Sequence, residues 1–522
     1  MRGFRTFTRM RSRHRRIAIL PLRLTAVVLL AYSASLFAGA GEVWRGPHSA
    51  ALEAHRQHPV LADLIGDGTR SAVPLRPAAK APSARPVVFG FLPYWIDATY
   101  YHSIDWELLT HIAPFSVEVN TDGSLGDGHG WPWTALVDTA HAYGVRVILT
   151  ATLFGDSKVL ALIGDEERRQ RFFTAIRDAV KEGNADGVNI DFEGPGANGW
   201  PSHINGFLAD LTAYLHAEIP GCEVSFAAPP VDWGGRWDYE GLAASCDYLF
   251  IMGYAFSGSW SELAGPTAPL RGPGRNITTT VTGDFGGVTR QHPEKLILGV
   301  PFYGCRWSTT SSEARAPTSA FAEYPQFWAT LMGASTHGDL WDPVSQTPWY
   351  RYQKDGSWIQ VWHDDAASLG LKFDLALDHG LRGVGMWALG YESRRVETWE
   401  LLEQKIGRRS PPTVVAGGTA RAAGTTGLRL APGYPNPFNG RVHLRAQLPG
   451  PGELELTIYD ILGRRVREWR QEQAAAGPAS WFWDGTDAAG RAVASGVYAY
   501  RLRYRDGGGT ESVLSRRLLL AR

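Results

Sequence analysis

Between residues 87 and 407 the chain repeats one alternation, and it constrains the fold more than any other feature. Short β-branched or aromatic runs occur at 87–92, 111–117, 146–150, 187–192, 223–227, 248–252, 295–300 and 383–387. Amphipathic helical patterns lie between several of them, such as 166–182 and 204–218. In the first of these Phe172, Phe173, Ile176 and Val180 recur at helical spacing. Eight strands alternating with helices fit an α/β fold, a (β/α)8 TIM barrel. A doubly wound open sheet is the competing arrangement, but no Gly-rich phosphate loop follows any of the eight runs. The stretch 305–382 is too long for one helix, so an insertion is expected between strands seven and eight, with the aromatic segment 349–362 inside it.

The ends of the chain read differently. Residues 1–40 hold eight Arg, then an apolar run at 24–37, then Ala38-Gly39-Ala40. A basic start, a short apolar stretch and a small-x-small site make the layout of a secretory signal peptide. Its removal would leave 44 basic against 52 acidic residues, a net charge of −8. An acidic exported protein is a poor partner for nucleic acid. Residues 41–86, with Pro74, Pro77, Pro82 and Pro86, read as a Pro/Ala-rich linker or irregular pro-segment, and 408–427 as a second linker. The 44% hydrophobic content excludes a disordered or collagenous chain.

The segment 185–193, Ala-Asp-Gly-Val-Asn-Ile-Asp-Phe-Glu, carries the chemistry. Side chains on a strand alternate faces. Asn189, Asp191 and Glu193 therefore share one face, and Val188, Ile190 and Phe192 the other. Barrel enzymes place catalysis at the C-terminal strand ends, where Glu193 falls. An ionised Asp191 two residues away would raise the pKa of Glu193, as suits a general acid. Paired carboxylates of this kind also suit a calcium site or a salt-bridged barrel layer.

Asp186-Gly187-x-Asn189-x-Asp191-x-Glu193 resembles the DGxDxDxE signature of family 18 glycoside hydrolases, the chitinase family. Phe89-Gly90-Phe91-Leu92-Pro93-Tyr94-Trp95, Met252-Gly253-Tyr254, the run from Lys295 to Gly304 and the run from Gly383 to Tyr391 are similar to that family's first, sixth, seventh and eighth strands. The resemblance implies a retaining, substrate-assisted mechanism on N-acetylglucosamine polymers, chitin or the glycan of peptidoglycan, with no cofactor or metal. It implies Glu193 as proton donor, Asp191 as the group orienting the substrate acetamido, and Tyr254 as hydrogen-bond donor to its oxygen. Trp387 would be the apolar floor, and Tyr94, Met252 and Tyr303 further walls. Two positions depart from the family pattern. Asn189 replaces an acid; it can donate a hydrogen bond to Asp191 but not share a proton, which implies a simpler pH profile. Ala255 stands where many active members have Asp, which implies weaker substrate positioning unless Glu262 or Asp284 compensates; a glycan-binding lectin without turnover is the alternative to a hydrolase.

Trp is unusually frequent, 20 against 19 Tyr and 21 Phe, and 16 of the 20 lie within 87–407. Trp131, Trp133, Trp200, Trp233, Trp237 and Trp260 follow strands two, four, five and six, which predicts an aromatic rim for a sugar chain, with Trp133 and Trp233 as substrate contacts. Cys222 and Cys246 precede adjacent strands, and a bridge or two buried thiols are both open. Residues 428–522 show strand-like alternation at 442–448, 453–459, 480–483 and 497–504, as in an all-β immunoglobulin-like sandwich. The motifs at 434–439, 458–464, 483–485 and 495–498 resemble the FlgD-like immunoglobulin-type domain of bacterial secreted proteins. That implies a sorting or anchoring role through cell-surface or secretion machinery; a carbohydrate-binding module is the other reading. The expected protein is a secreted or cell-surface monomer with a polysaccharide as partner.

Overall fold

The computed structural model describes residues 46–520 apart from 67–72, 76–84, 195–199, 408–427, 431–432, 434–437, 461–462, 475–476 and the single positions 102, 233, 394 and 439. The leader at 1–40 and the linker at 408–427 thus lie outside the described residues.

Nearly continuous apolar runs are what parallel strands buried on both faces require. The eight runs form Val87–Pro93, His111–Glu118, Arg146–Phe154, Gly187–Glu193, Glu223–Ala228, Tyr248–Met252, Leu296–Pro301 and Gly383–Trp387. Each pairs in parallel with the next, and the eighth closes on the first from Val87↔Gly383 to Gly90↔Met386. Inside, Phe250 lies against Gly299 and Gly385, which face each other in register. A Cβ on either glycine would come within 2.3 Å of that ring. Phe89 and Phe91 complete the plug, with ring centroids 5.3 and 4.9 Å from Phe250.

The helix Glu166–Gly183 begins at Asp165, whose side chain accepts from Arg168 N, and ends at Asn184 in the left-handed conformation. It buries Phe172, Phe173, Ile176 and Val180, the four residues its periodicity singled out.

The insertion is an antiparallel sheet in the order Leu340–Asp342, Thr347–Lys354, Ser357–Trp362, Cys305–Thr309, Thr318–Glu323, with the helix Phe327–His337 against it. It has its own core of Cys305, Trp307, Trp349 and Trp362, the last two stacked at 5.1 Å.

The C-terminal body has two antiparallel sheets around a separate core that includes Leu444, Leu456, Trp483 and Tyr500. Three strands escape the sequence pattern, one of them the two-residue Arg429–Leu430. Arg465–Ala474 and Glu511–Leu520 lie at the two edges of one sheet; the first is mostly polar and charged and the second carries Glu511, Arg516 and Arg517, as suits edges that must not pair with another chain.

All three cysteines are buried free thiols, so the bridge weighed for Cys222 and Cys246 is absent. Cys246 Sγ donates instead to the Leu242 and Tyr248 carbonyls at 3.5 and 3.4 Å. Thiol titration of the denatured protein is expected to count three; a count of one would restore the bridge. Among the described residues no helix is long and apolar enough to cross a membrane.

The stretch 41–86 is not all irregular. Pro47–His55 and Ala62–Ile65 are helices, and Leu52 and Leu64 are buried in the barrel's main apolar core.

Candidate active site

The alternation along Gly187–Glu193 divides as the sequence predicts. Phe192 packs outward against the rings of Phe172 and Phe207 at 5.9 and 5.7 Å. Asn189 and Asp191 are 0% exposed and Glu193 is 3% exposed. Asn189 does not reach Asp191. Its Nδ2 donates to Ser225 Oγ at 2.9 Å, because register sets Ser225 of the fifth strand directly across from it. Asn189 Oδ1 and Asp191 Oδ1 have no hydrogen-bond partner among the described residues.

The other predicted residues gather at the same ends of the strands. Trp387 ends the eighth strand and Met252 the sixth, with Tyr254 two residues on, and all three are buried. Tyr303 follows the seventh strand; its ring is edge-on to Tyr254 at 6.1 Å, and its hydroxyl accepts from Thr267 Oγ1. Tyr94 follows the first strand and stacks on His129 at 3.8 Å. Ala255 has a left-handed backbone (φ 59°), and its N–H donates to Thr267 Oγ1 at 3.0 Å. Neither expected compensator takes over the missing carboxylate. Asp284 is held by Arg275 and the Asp232 amide, and Glu262 is exposed.

The aromatic rim is largely corrected. Trp133 is 1% exposed in the main core, and its Nε1 donates to the His129 carbonyl at 2.8 Å. Trp133 is the residue just before the helix Thr134–Ala142, and its indole is turned into the core. Trp131 lies against Gly183 and donates to the Ala179 carbonyl, far along the helix Glu166–Gly183. Trp237 packs on Phe226. Trp260 is 39% exposed. Trp233 and the side chain of Trp200 lie outside the described residues. Trp133→Ala is therefore expected to cost about 3–5 kcal/mol of stability, measured by urea unfolding, through the cavity it leaves. A stability change below about 1 kcal/mol would place the indole back at the surface.

One residue of this site was not singled out from the sequence. His48, from the helix Pro47–His55, is fully buried between the carboxylates and Trp387. Its Nδ1 is 2.8 Å from Asp191 Oδ2 and its Nε2 is 2.8 Å from the Tyr254 hydroxyl. The backbone N–H groups of His48 and Ser49 donate to Glu193 Oε1 and Oε2 at 3.4 and 3.1 Å. The imidazole lies over Trp387, with centroids 3.8 Å apart. A helix-starting Gly-Pro pair at 46–47 is the only local signal for this element.

Burial dominates the electrostatics. It pushes Glu193 up to about 8, assisted by the Asp191 charge and opposed by His48 and the two amides. It raises Asp191 well above the usual carboxylate range. It lowers His48 to about 4, against the pull of Glu193. At neutral pH His48 is thus uncharged, and its Nδ1–H tautomer lets Nδ1–H donate to Asp191 and Nε2 accept from Tyr254. His48, Asp191 and Glu193 bring ligand-type atoms within 4.8 Å of one another. The Nδ1–Oδ2 contact has the length of a direct hydrogen bond, so these atoms point at each other rather than at a shared cation.

A closed parallel barrel with a buried acid pair at the C-terminal end of its fourth strand is an arrangement that suits a glycoside hydrolase. Residues 90–392 match the family model for glycosyl hydrolases family 18, more than half of the chain, and the protein belongs to that family. Residues 437–508 match the FlgD Ig-like domain. Human di-N-acetylchitobiase is 30% identical over 344 residues, 59% of this chain and 82% of its own length. The cortical fragment-lytic enzyme of Bacillus subtilis is 25% identical over 314 residues, 57% of this chain and 68% of its own. A Cycas revoluta family 18 chitinase, solved in complex with (GlcNAc)3, shares the fold with a TM-score of 0.56 and 19% identity, covering 61% of this chain and 99% of that one.

Proposed function

We propose that the protein is an exported, retaining hydrolase that cleaves β-1,4 linkages of N-acetylglucosamine polymers with help from the substrate's own acetamido group. The observation that carries this is the arrangement of Glu193, Asp191, Tyr254 and Trp387 around the one buried space that the His48 ring fills. Glu193, holding its proton at neutral pH, gives it to the leaving glycosidic oxygen. The acetamido oxygen attacks the anomeric carbon as that bond breaks, forming a cyclic oxazolinium ion. Asp191 accepts the acetamido N–H and stabilises the positive charge; Tyr254 donates to the acetamido oxygen; Trp387 receives the methyl and ring faces. Glu193, now a carboxylate, takes a proton from water as the water opens the ring, and the enzyme returns to its starting state.

Chitin or chitooligosaccharide is the favoured substrate, supported by the relationship to di-N-acetylchitobiase. Peptidoglycan is the second reading, supported by the relationship to the cortical fragment-lytic enzyme. Product analysis on chitin and on purified cell wall tests both. Soluble N-acetylglucosamine oligomers from chitin alone are expected; muramic-acid-containing fragments from cell wall alone would transfer the assignment. Binding without turnover on either would favour a lectin, the outcome Ala255 would explain.

The C-terminal domain is proposed to sort or anchor the exported protein. Deleting 428–522 is expected to release the protein from the cell surface with catalysis intact. Loss of binding to insoluble polymer would make it a carbohydrate-binding module.

A further inference from the structure

We propose that residues 46–65 are an internal pseudosubstrate: His48 stands where the acetamido group of a bound sugar would stand, the first turn of its helix covers the proton donor, and the folded chain is latent until this segment leaves. The inference rests on the pocket assignment made under the proposed function.

The match is one of donors and acceptors. An acetamido group offers an N–H and a carbonyl oxygen on opposite sides of a flat unit, with an apolar methyl beyond. In its Nδ1–H tautomer the uncharged imidazole offers the same set: Nδ1–H to Asp191 and Nε2 to the Tyr254 hydroxyl, each at 2.8 Å, and a flat face on Trp387. Both Glu193 oxygens accept from backbone N–H groups at the helix start. A leaving-group oxygen cannot reach Glu193 past them.

The backbone is shaped for this approach. A Cβ at Gly46 would lie 1.9 Å from Glu193 Oε2, so only glycine lets the chain come so close. Pro47 then sets the first helical residue.

The segment is also fastened outside the pocket. His55 stacks on Trp95 at 4.5 Å, and its carbonyl accepts from the Tyr94 hydroxyl at 2.7 Å. Arg56 pairs with Glu118 at 3.3 Å, and the Ile65 carbonyl accepts from Thr134 Oγ1 at 2.6 Å. Because the plug is tethered, its effective concentration is of millimolar order, and free substrate must compete against that.

The test compares the full chain with His48→Ala and with Gly46→Val. Two quantities are measured: kcat/KM on a chitooligosaccharide, and the Kd for (GlcNAc)3 by calorimetry. Both variants are expected to gain at least tenfold in each. Equal or poorer values in folded variants would overturn the proposal; poorer turnover with His48→Ala would make His48 a working part of the site. If neither parent nor variants bind or cleave these sugars, the substrate reading fails, and the plug is judged separately by NMR titration of the His48 ring. A seated ring stays uncharged to a pH of about 4, whereas titration near 6.5 means the ring is in water and the proposal is wrong.

Discussion

Glu193→Gln is expected to lower kcat by about 10²–10⁴-fold, the contribution of a positioned general acid. The amide has nearly the same shape but cannot release a proton to the glycosidic oxygen. Binding of (GlcNAc)3 should survive or improve. One amide oxygen can still accept from His48 N or Ser49 N, but the NH2 group would face the other donor, which loosens the helix start over the pocket. The same variant reports on stability. Glu193 is raised from 4.5 to about 8 in the folded protein, so its stabilising contribution is complete below about pH 4.5 and is lost as pH rises through about 8. Gln cannot ionise, so its advantage over the parent should widen between those limits. Urea unfolding at pH 5 and pH 9 checks the sign; a gap that narrows with pH would mean the carboxylate is not buried as described.

The second large effect is structural. Lys372, fully buried on the helix Ala366–Asp378, is paired with Asp364, which is also buried and accepts from Ser368 Oγ at 2.6 Å. Burial lowers the Lys372 pKa and the Asp364 charge opposes that shift. Asp364→Ala should therefore cost about 3–5 kcal/mol, since it strands an ammonium group without a partner. Replacing both residues, as in Asp364→Leu with Lys372→Met, should recover most of that loss. A single variant within about 1 kcal/mol of the parent would mean that water reaches Lys372. This helix leads into the strand that ends at Trp387, so the single variant should also weaken sugar binding.

The barrel was legible because each strand is an apolar run buried on both faces, a pattern that needs no knowledge of neighbours. Asp191 and Glu193 were legible for the complementary reason: polar residues at period two on such a strand have only the barrel interior to face. Trp133 was misplaced because its position depends on the path of a loop, and a loop's path is set by contacts that local sequence does not encode. Asn189 was given the wrong partner because Ser225 became its neighbour only through strand register. His48 was invisible for a further reason. The helix Pro47–His55 buries only His48 and Leu52, so it has almost no amphipathic signature, and what it enters is decided by a complementary pocket more than 140 residues away.

The insertion leaves and rejoins the barrel at one place. Cys305, its first strand residue, is in register with Trp362, its last. A segment whose two ends already touch can be lengthened, shortened or exchanged at little entropic expense, because the closure term grows only as the logarithm of length. The inserted sheet is thus a module attached to the barrel at one point. Its size can change without disturbing the strand that carries Asp191 and Glu193, which the insertion does not interrupt.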